Sequence, residues 1–211
     1  MNAEMEQRIA QFASQKVTKK SMQEFVKGSD VKNISKDAFE PLDAVGSTDD
    51  AELIYHLLAA AIEITKAAKK ITLMKKHLQA AIDAYNRFGD DLSQHASKVT
   101  QTELTRIAKK DHEIERVAKK ALQTVIEAGD PAVVRALWNC ACHLQKSEAI
   151  KPSKTVSLNE VETARAMLQC FKKVFTLDPN SASKIDADAE ANGEKVDDNE
   201  ANNEASDMDA D

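Results

Sequence analysis

The fold is decided by the stretch AELIYHLLAAAIEITKAAKKITLMKKHLQAAIDAYNRF, residues Ala51 to Phe88, in which apolar side chains recur at alternating steps of four and three. This spacing is typical of a coiled-coil a/d seam on one face of a helix. No Gly or Pro interrupts residues 49–88 before Gly89, which we interpret as a C-cap. The sequence therefore favours one continuous helix, and the alternative is a break at Lys69-Lys70. The seam comprises Leu53, Leu57, Ala60, Ile64, Ala67, Ile71, Met74, Leu78, Ala81, Tyr85 and Phe88.

A second seam follows a short connection. The pattern Thr100-Gln-Thr-Glu103 has the spacing of a capping box and marks a helix start. We expect this helix to continue to Gly129 and to pair with the first as a long antiparallel hairpin. Its seam consists of Leu104, Ile107, Asp111, Ile114, Ala118, Ala121, Val125 and Ala128.

The rest of the chain also indicates an all-α protein. Gly 5, Pro 4 and 4% aromatic residues are too few turn and strand formers for a β-sandwich or barrel. We expect an N-terminal helix over residues 3–27 with a break near Thr18, a helix begun by Asp130-Pro131, and a last helix begun by Ser157. The prediction is a helical bundle over residues 1–178, built on the long hairpin and followed by a disordered acidic tail over residues 179–211.

The last helix ends in FKKVFTLDPN (Phe171–Asn180), which resembles the end of the second helix of a tetratricopeptide repeat. The resemblance covers one helix, and the chain shows no 34-residue period. It therefore implies nothing about the function of the protein.

Several features bear on the compartment. No apolar run approaches the ~18 residues of a membrane span, and the N-terminus MNAEMEQRIAQF has no apolar core of a signal peptide. Three Cys form no disulfide framework, so we interpret them as reduced thiols. The sequence predicts a cytoplasmic protein without a transmembrane segment, and it does not exclude non-classical export.

The stretch LWNCACHLQK (Leu137–Lys146) is the strongest candidate for a site, because it holds the only Trp and two of the Cys. On a helical wheel Cys140 falls on the apolar stripe, whereas Cys142 points away and is expected to be exposed or half covered by Trp138. Cys142 and His143 lie about 100° apart around the helix, so they do not form a nucleophile–base pair. We expect a core wall here, with Trp138, Cys142 and His143 as a candidate partner-facing groove.

No metal site, cofactor motif or catalytic constellation is recognisable in the sequence. The spacing of Cys140 and His143 supplies two ligands, which do not make a zinc site. Phosphate-binding loops, dinucleotide fingerprints and nucleophile elbows are missing from the sequence. We therefore expect no cofactor, no bound metal and no enzymatic activity.

Lysines occur repeatedly in pairs, and KAAKKITLMKK (Lys66–Lys76) contains five lysines and no acidic residue. On the expected hairpin they form a basic ridge suited to polyanions such as anionic lipid or nucleic-acid backbone. Scarce arginine and a lack of stacking aromatics argue against sequence-specific nucleic-acid binding. The ridge comprises Lys66, Lys69, Lys70, Lys75, Lys76, Lys109, Lys110, Lys119 and Lys120.

These observations predict a non-catalytic helical module, an adaptor or chaperone-like subunit, that binds another protein. A seam that the shorter helices do not cover would expose an apolar patch, which a partner helix or a second copy would cover. The alternative is a polyanion-binding protein whose lysine ridge is modulated by the acidic tail.

The tail carries charge opposite to that of the body. Residues 179–211 contain 11 acidic residues and 2 Lys, a net charge of −9, which leaves the body at +3. With few large apolar residues, the tail cannot compensate for the entropy of ordering. Two roles stay open: a plain solubility tail, or an electrostatic shield over the lysine ridge.

Deletion of residues 179–211 separates these roles. If the tail shields the ridge, the truncated protein keeps its helical circular dichroism and gains salt-sensitive affinity for heparin and for anionic vesicles. Affinities that are equal with and without the tail would contradict shielding and leave the solubility role.

Overall fold

The computed structural model describes residues 3–45, 50–93, 99–147, 149–150 and 154–177, so the predicted tail lies outside the described residues. The chain is mostly helical, as predicted, with a short 3-10 helix at Glu40–Ala44. The α-helices are α1 (Ala3–Ala13), α2 (Lys19–Lys27), α3 (Ala51–Ala67), α4 (Lys75–Ser93), α5 (Gln101–Lys110), α6 (Lys119–Ile126), α7 (Pro131–Lys146) and α8 (Leu158–Leu177). The strands are β1 (Asn33–Ile34), β2 (Thr72–Leu73), β3 (Arg116–Val117) and β4 (Thr155–Val156).

The long hairpin does not form, because both seams are interrupted by strands. Helix α3 ends at Ala67, Lys69 adopts a left-handed φ of 54°, and β2 precedes α4. Strand β3 divides the second seam in the same way. The prediction of one continuous helix over residues 49–88 is wrong, and the alternative break at Lys69-Lys70 is correct. Gly89 lies inside α4 and does not end it.

The strands pair in parallel, β1 with β2 and β3 with β4. The peptide groups of Lys32 and Asn33 donate to the carbonyl of Ile71 at 2.9 and 3.0 Å, and Ser35 donates to Leu73 at 2.9 Å. These bonds satisfy backbone groups that a continuous helix would have used internally. The strand pairs therefore replace helix hydrogen bonds at the point where the seam is broken.

The two strand pairs have identical spacing and reveal an internal repeat. Asn33 pairs with Thr72 and Arg116 with Thr155, so both pairs span 39 positions and lie 83 positions apart. We call residues 19–93 repeat 1 and residues 101–177 repeat 2. Each contains, in order, a first helix (α2 or α5), a strand, a short helix, a longer helix (α3 or α7), a strand and a final helix (α4 or α8).

Hydrogen bonds of equivalent side chains follow the same offset. Tyr55 donates its hydroxyl to Ser21 Oγ at 2.9 Å, and Trp138 donates Nε1–H to the carbonyl of Leu104 at 2.7 Å; each reaches 34 positions back along the chain. Both rings are fully buried. A buried ring with a polar atom needs such a partner, so each repeat anchors its first helix to its longer helix in the same way.

The final helices begin alike. Met74 donates its N–H to His77 Nδ1 at 3.2 Å, and 83 positions later Ser157 donates its N–H to Glu160 Oε2 at 2.8 Å. Both acceptor residues are buried. Two chemically different side chains therefore perform the same capping role, which is why sequence similarity between the repeats is hard to see.

The core is formed by the longer and final helices of both repeats. Helix α3 packs against α4 of its own repeat and against α8 of the other, and α7 packs against α8 and α4. Helix α1 precedes both repeats and packs on α3. The ring centroid of Phe12 on α1 lies 5.5 Å from that of Phe25 and 5.6 Å from that of Tyr55. Neither repeat buries its apolar surface alone, so the two are expected to fold together.

Several helix starts agree with the sequence. Asp130 accepts the N–H of Val133 at 3.0 Å with Pro131 next in the chain, and Thr100 accepts the N–H of Glu103 at 3.3 Å. The expected break near Thr18 is present, since Thr18 is the N-cap of α2. Among the described residues, no helix has both the length and the apolar character needed to cross a membrane.

Two seam residues give a matched stability test. Ile64 is fully buried, whereas Ile71 is 56% exposed. Ile64→Asp places an unpaired charge in the core and should lower the free energy of unfolding by about 3 kcal/mol or more. Ile71→Asp should change it by no more than about 0.5 kcal/mol. Urea denaturation followed by circular dichroism measures both, and equal losses would contradict the break between α3 and α4.

Candidate functional site

An apolar groove with a volume of about 630 Å³ lies mainly in repeat 2, and Leu92 of repeat 1 also lines it. Such a volume is within the ~300–1,000 Å³ typical of ligand pockets. The groove lies between α8, the end of α4, the end of α6 and the start of α7. Its apolar lining consists of Leu92, Ala128, Val133, Leu137, Leu168 and Phe175.

The rim of the groove carries two cationic side chains and one carboxylate. Lys172 is exposed, and Arg165 is half-buried with Nη2 donating to the carbonyl of Thr124 at 2.7 Å. Glu127 is the exposed acidic residue. The bond to Thr124 fixes the guanidinium of Arg165, so the groove combines apolar side chains with a few charged groups.

The stretch Leu137–Lys146 does not form this surface. Trp138 and Cys142 have no exposed area, so the expectation that Cys142 is exposed or half covered is wrong. The helical wheel assumed that α7 buries one face, but α7 contacts α4, α5, α6 and α8. The interpretation of this stretch as a core wall is the correct one for Trp138, Cys140 and Cys142.

His143, the third candidate of that stretch, lies in a polar contact between α7 and α4. Its Nε2 is 3.5 Å from Asp83 Oδ2, and one turn away Asn139 Nδ2 donates to both carboxylate oxygens of Asp91 at 3.0 and 3.1 Å. Burial lowers the pKa of the His143 imidazole and raises the pKa of the Asp91 carboxyl. These shifts favour the neutral forms, which suits groups that hold two helices together.

The cysteines have the properties of packing residues. Cys140, Cys142 and Cys170 are free and buried. Burial raises the pKa of Cys140, and it raises the pKa of Cys142 and of Cys170 to about 12. At neutral pH these groups are thiols, whereas a nucleophile or a metal ligand needs the thiolate. No group of three or more His, Cys, Asp or Glu suited to a metal ion occurs within the described ranges.

The lysine ridge is divided, because the hairpin that would have carried it does not form. Lys69, Lys70, Lys75 and Lys76 flank β2, and the other pairs lie on either side of β3. Two lysines of the ridge, Lys66 and Lys75, form ion pairs with acidic side chains, and these acids lie either far away in sequence or on the same helix. Lys75 Nζ lies 2.7 Å from Glu40, and Lys66 Nζ lies 3.3 Å from Asp30 and 3.2 Å from Glu63.

The remaining lysines are exposed and form no ion pair with the residues described. They are Lys69, Lys70, Lys76, Lys109, Lys110, Lys119 and Lys120. The positive charge is therefore gathered around two strand pairs rather than spread along a helix.

Most of the first seam is covered by other parts of the protein. Ile71 and Met74, beside β2, are its exposed members at 56% and 39%, and they are the exposed large apolar side chains of the described residues. The rest of the first seam is buried or half-buried. Half-buried apolar side chains also line the groove of repeat 2, where Val133, Leu168 and Phe175 have the helical spacing expected of core residues. Sequence periodicity identifies such residues as apolar but does not show which of them are left uncovered.

Comparison with protein-family models, curated proteins and solved structures gives no significant match to this chain.

Thiol labelling tests the burial of the cysteines. In the native protein we expect all three to react slowly with an aromatic disulfide reagent at pH 8, with Cys142 protected as well as Cys140. In urea, all three cysteine thiols of each chain should react at once. Rapid native labelling of Cys142, located by mass spectrometry of the peptide, would contradict the packing of α7.

Proposed function

We propose that this protein is a non-catalytic helical module, an adaptor or chaperone-like subunit, that binds another protein through the groove of repeat 2. The observation that carries the proposal is the apolar lining of a groove of about 630 Å³ that is open to solvent. Covering the apolar lining of a concave groove with an apolar side chain of a partner removes it from water and is favourable. An amphipathic helix placed in a groove is a common solution.

The buried cysteines support a binding role over a catalytic one. Catalysis requires a nucleophile, an acid or a base that touches the substrate, in an accessible position. The groove is lined by aliphatic side chains, one phenyl ring, the amide of Gln169 and the ionisable groups of Arg165, Lys172 and Glu127. Such a lining offers apolar contact area and two or three charge contacts.

A second candidate function, polyanion binding, is favoured by the exposed lysines around β2 and β3. Lys69, Lys70 and Lys76 lie beside β2 in repeat 1, and Lys119 and Lys120 follow β3, the counterpart of β1, in repeat 2. Each strand pair therefore has exposed lysines next to it, at positions that are not equivalent. Phosphate-driven binding falls steeply between low and physiological salt, whereas apolar docking changes little. Salt dependence therefore separates this candidate from the groove.

Charged substitutions in the groove test the proposal. Val133→Asp and Leu168→Asp each place a carboxylate on half-buried groove surface and should abolish capture of a partner from native lysate at physiological salt. Ile71→Asp is the matched control, since it puts the same charge on an exposed apolar site beside β2. Affinity capture with quantitative mass spectrometry should give proteins bound by the wild type and the control, and lost from both groove variants.

Two outcomes would contradict the proposal. Identical sets of captured proteins for all four baits would show that the groove does not bind. Loss of the partner in the control alone would move the interface to the strand pair. Circular dichroism of each variant ensures that a lost partner does not reflect a lost fold.

A further inference from the structure

The segment between α3 and α4 of repeat 1 combines lysines with exposed apolar side chains. Residues 69–76 read KKITLMKK and contain no acidic residue. We call them the basic tip. The exposed residues of the tip are Lys69, Lys70, Ile71, Met74, Lys75 and Lys76, so most of the segment projects from the surface. Ile71 and Met74 are the exposed large apolar side chains of the part of the chain that the structure describes.

The backbone of the basic tip is fixed around these two apolar side chains. The carbonyl of Ile71 accepts the N–H of Lys32 at 2.9 Å. The N–H of Met74 donates to Nδ1 of His77 at 3.2 Å, and Leu73, just before it, is fully buried. Ile71 and Met74 are therefore presented to solvent by an ordered, hydrogen-bonded backbone.

Repeat 2 forms the same backbone arrangement with polar side chains. The offset of 83 positions relates Ile71 to Lys154 and Met74 to Ser157. The carbonyl of Lys154 accepts the N–H of Arg116 at 3.0 Å, which corresponds to a bond that Ile71 forms in repeat 1. Polar residues at both positions are thus compatible with the strand pair, and the apolar side chains of the tip are not required for it.

The charge of the tip also differs between the repeats. Exposed lysines of repeat 1 correspond to an acidic or neutral residue of repeat 2: Lys32 to Glu115, Lys70 to Ser153 and Lys76 to Asn159. The basic tip is therefore a property of repeat 1 and not of the common framework.

Acidic side chains neutralise only part of this charge. Glu40 forms an ion pair with Lys75 at 2.7 Å, and Asp37 also attracts Lys75. The other exposed lysines near the tip form no ion pair with the described residues, and they are Lys32, Lys69, Lys70 and Lys76. Positive charge therefore remains beside Ile71 and Met74.

This combination matches the surface of an anionic bilayer. Acidic headgroups attract lysines, and the acyl boundary just below them accommodates apolar side chains. A nucleic-acid backbone would use the lysines alone, and the tip contains no aromatic residue to stack on bases. A partner helix usually lies in a concave apolar groove, whereas this segment projects. The bilayer is the partner that uses both the charge and the apolar side chains.

We infer that the basic tip of repeat 1 binds the surface of anionic phospholipid membranes, with Ile71 and Met74 inserted below the headgroups and the lysines among them. The attachment is peripheral and reversible, because two apolar side chains and a few lysines give weak binding. The tip is separate from the groove, so the inference goes beyond protein binding. It specifies lipid as the polyanion of the second candidate function.

Vesicle co-sedimentation of the full-length protein tests the chemistry of binding. Binding should require phosphatidylserine, mixed equally with phosphatidylcholine, and should weaken as salt rises. The double variant Ile71→Ser and Met74→Ser keeps the charge and should lower the partition coefficient at least about tenfold, because the apolar contact is lost. The double variant Lys70→Gln and Lys76→Gln should lower it by about tenfold, because two headgroup contacts are lost.

Two comparisons control this experiment. Lys119→Gln with Lys120→Gln removes the same charge from exposed sites after β3 and should change the partition coefficient by less than about twofold, since charges beyond the screening length contribute little. Circular dichroism of each variant verifies that the helical fold is kept.

An environment-sensitive maleimide dye measures insertion directly. The native cysteines are buried, so the dye labels an introduced surface cysteine selectively. The Ile71→Cys conjugate should shift its emission to the blue when anionic vesicles are added, because the dye enters the acyl boundary. The Lys154→Cys conjugate, at the equivalent exposed position of repeat 2, should keep the emission of a dye in water.

Each contrary result has a separate meaning. Equal partitioning of the wild type and the serine variant, or no blue shift at position 71, would overturn the insertion of apolar side chains. An equal loss in the Lys119 and Lys120 control would overturn the location. Tighter binding of duplex DNA than of vesicles at the same salt, or no vesicle binding at all, would overturn the lipid partner. None of these results affects capture of a protein through the groove, so the two proposals fail independently.

Discussion

The parallel pairing of β1 with β2, and of β3 with β4, is the constraint on which the rest of the structure depends. Each pair joins backbone segments 39 positions apart, one that follows the first helix of a repeat and one that precedes its final helix. The chain must then turn back on itself between the two strands. This is why the longer helices α3 and α7 are of moderate length, at 17 and 16 residues, rather than parts of an extended hairpin.

The packing of each longer helix against the final helix of the other repeat follows from that constraint. With its strands paired, a repeat leaves one face of its longer helix uncovered, and the final helix of the other repeat covers it. Tyr55 and Trp138 lie in equivalent positions of this arrangement, both fully buried and both hydrogen-bonded to the first helix of their repeat. Substituting either ring should therefore disturb two helix contacts together, since buried aromatic residues contribute large areas to a core.

The function that we propose arises from departure from this symmetry. Equivalent positions hold Tyr85 and Leu168, and Ile82 and Arg165, and the members of repeat 2, Leu168 and Arg165, both line the groove. Core packing ordinarily fills such spaces, because an unfilled apolar cavity costs stability.

The sequence by itself determined what depends on neighbouring residues: the helical class, the starts of α5 and α7, the break before α2 and the apolar residues of each helix. It favoured one long helix over residues 49–88 because a regular apolar period continues across β2, and only pairing with β1, far away in sequence, decides against it. It left Cys142 exposed because a wheel describes one helix, whereas burial on several sides of α7 depends on four other helices. The sequence also did not predict the groove, because an unfilled space depends on how side chains of separate helices pack together. Only the tertiary structure decides which apolar residues are covered.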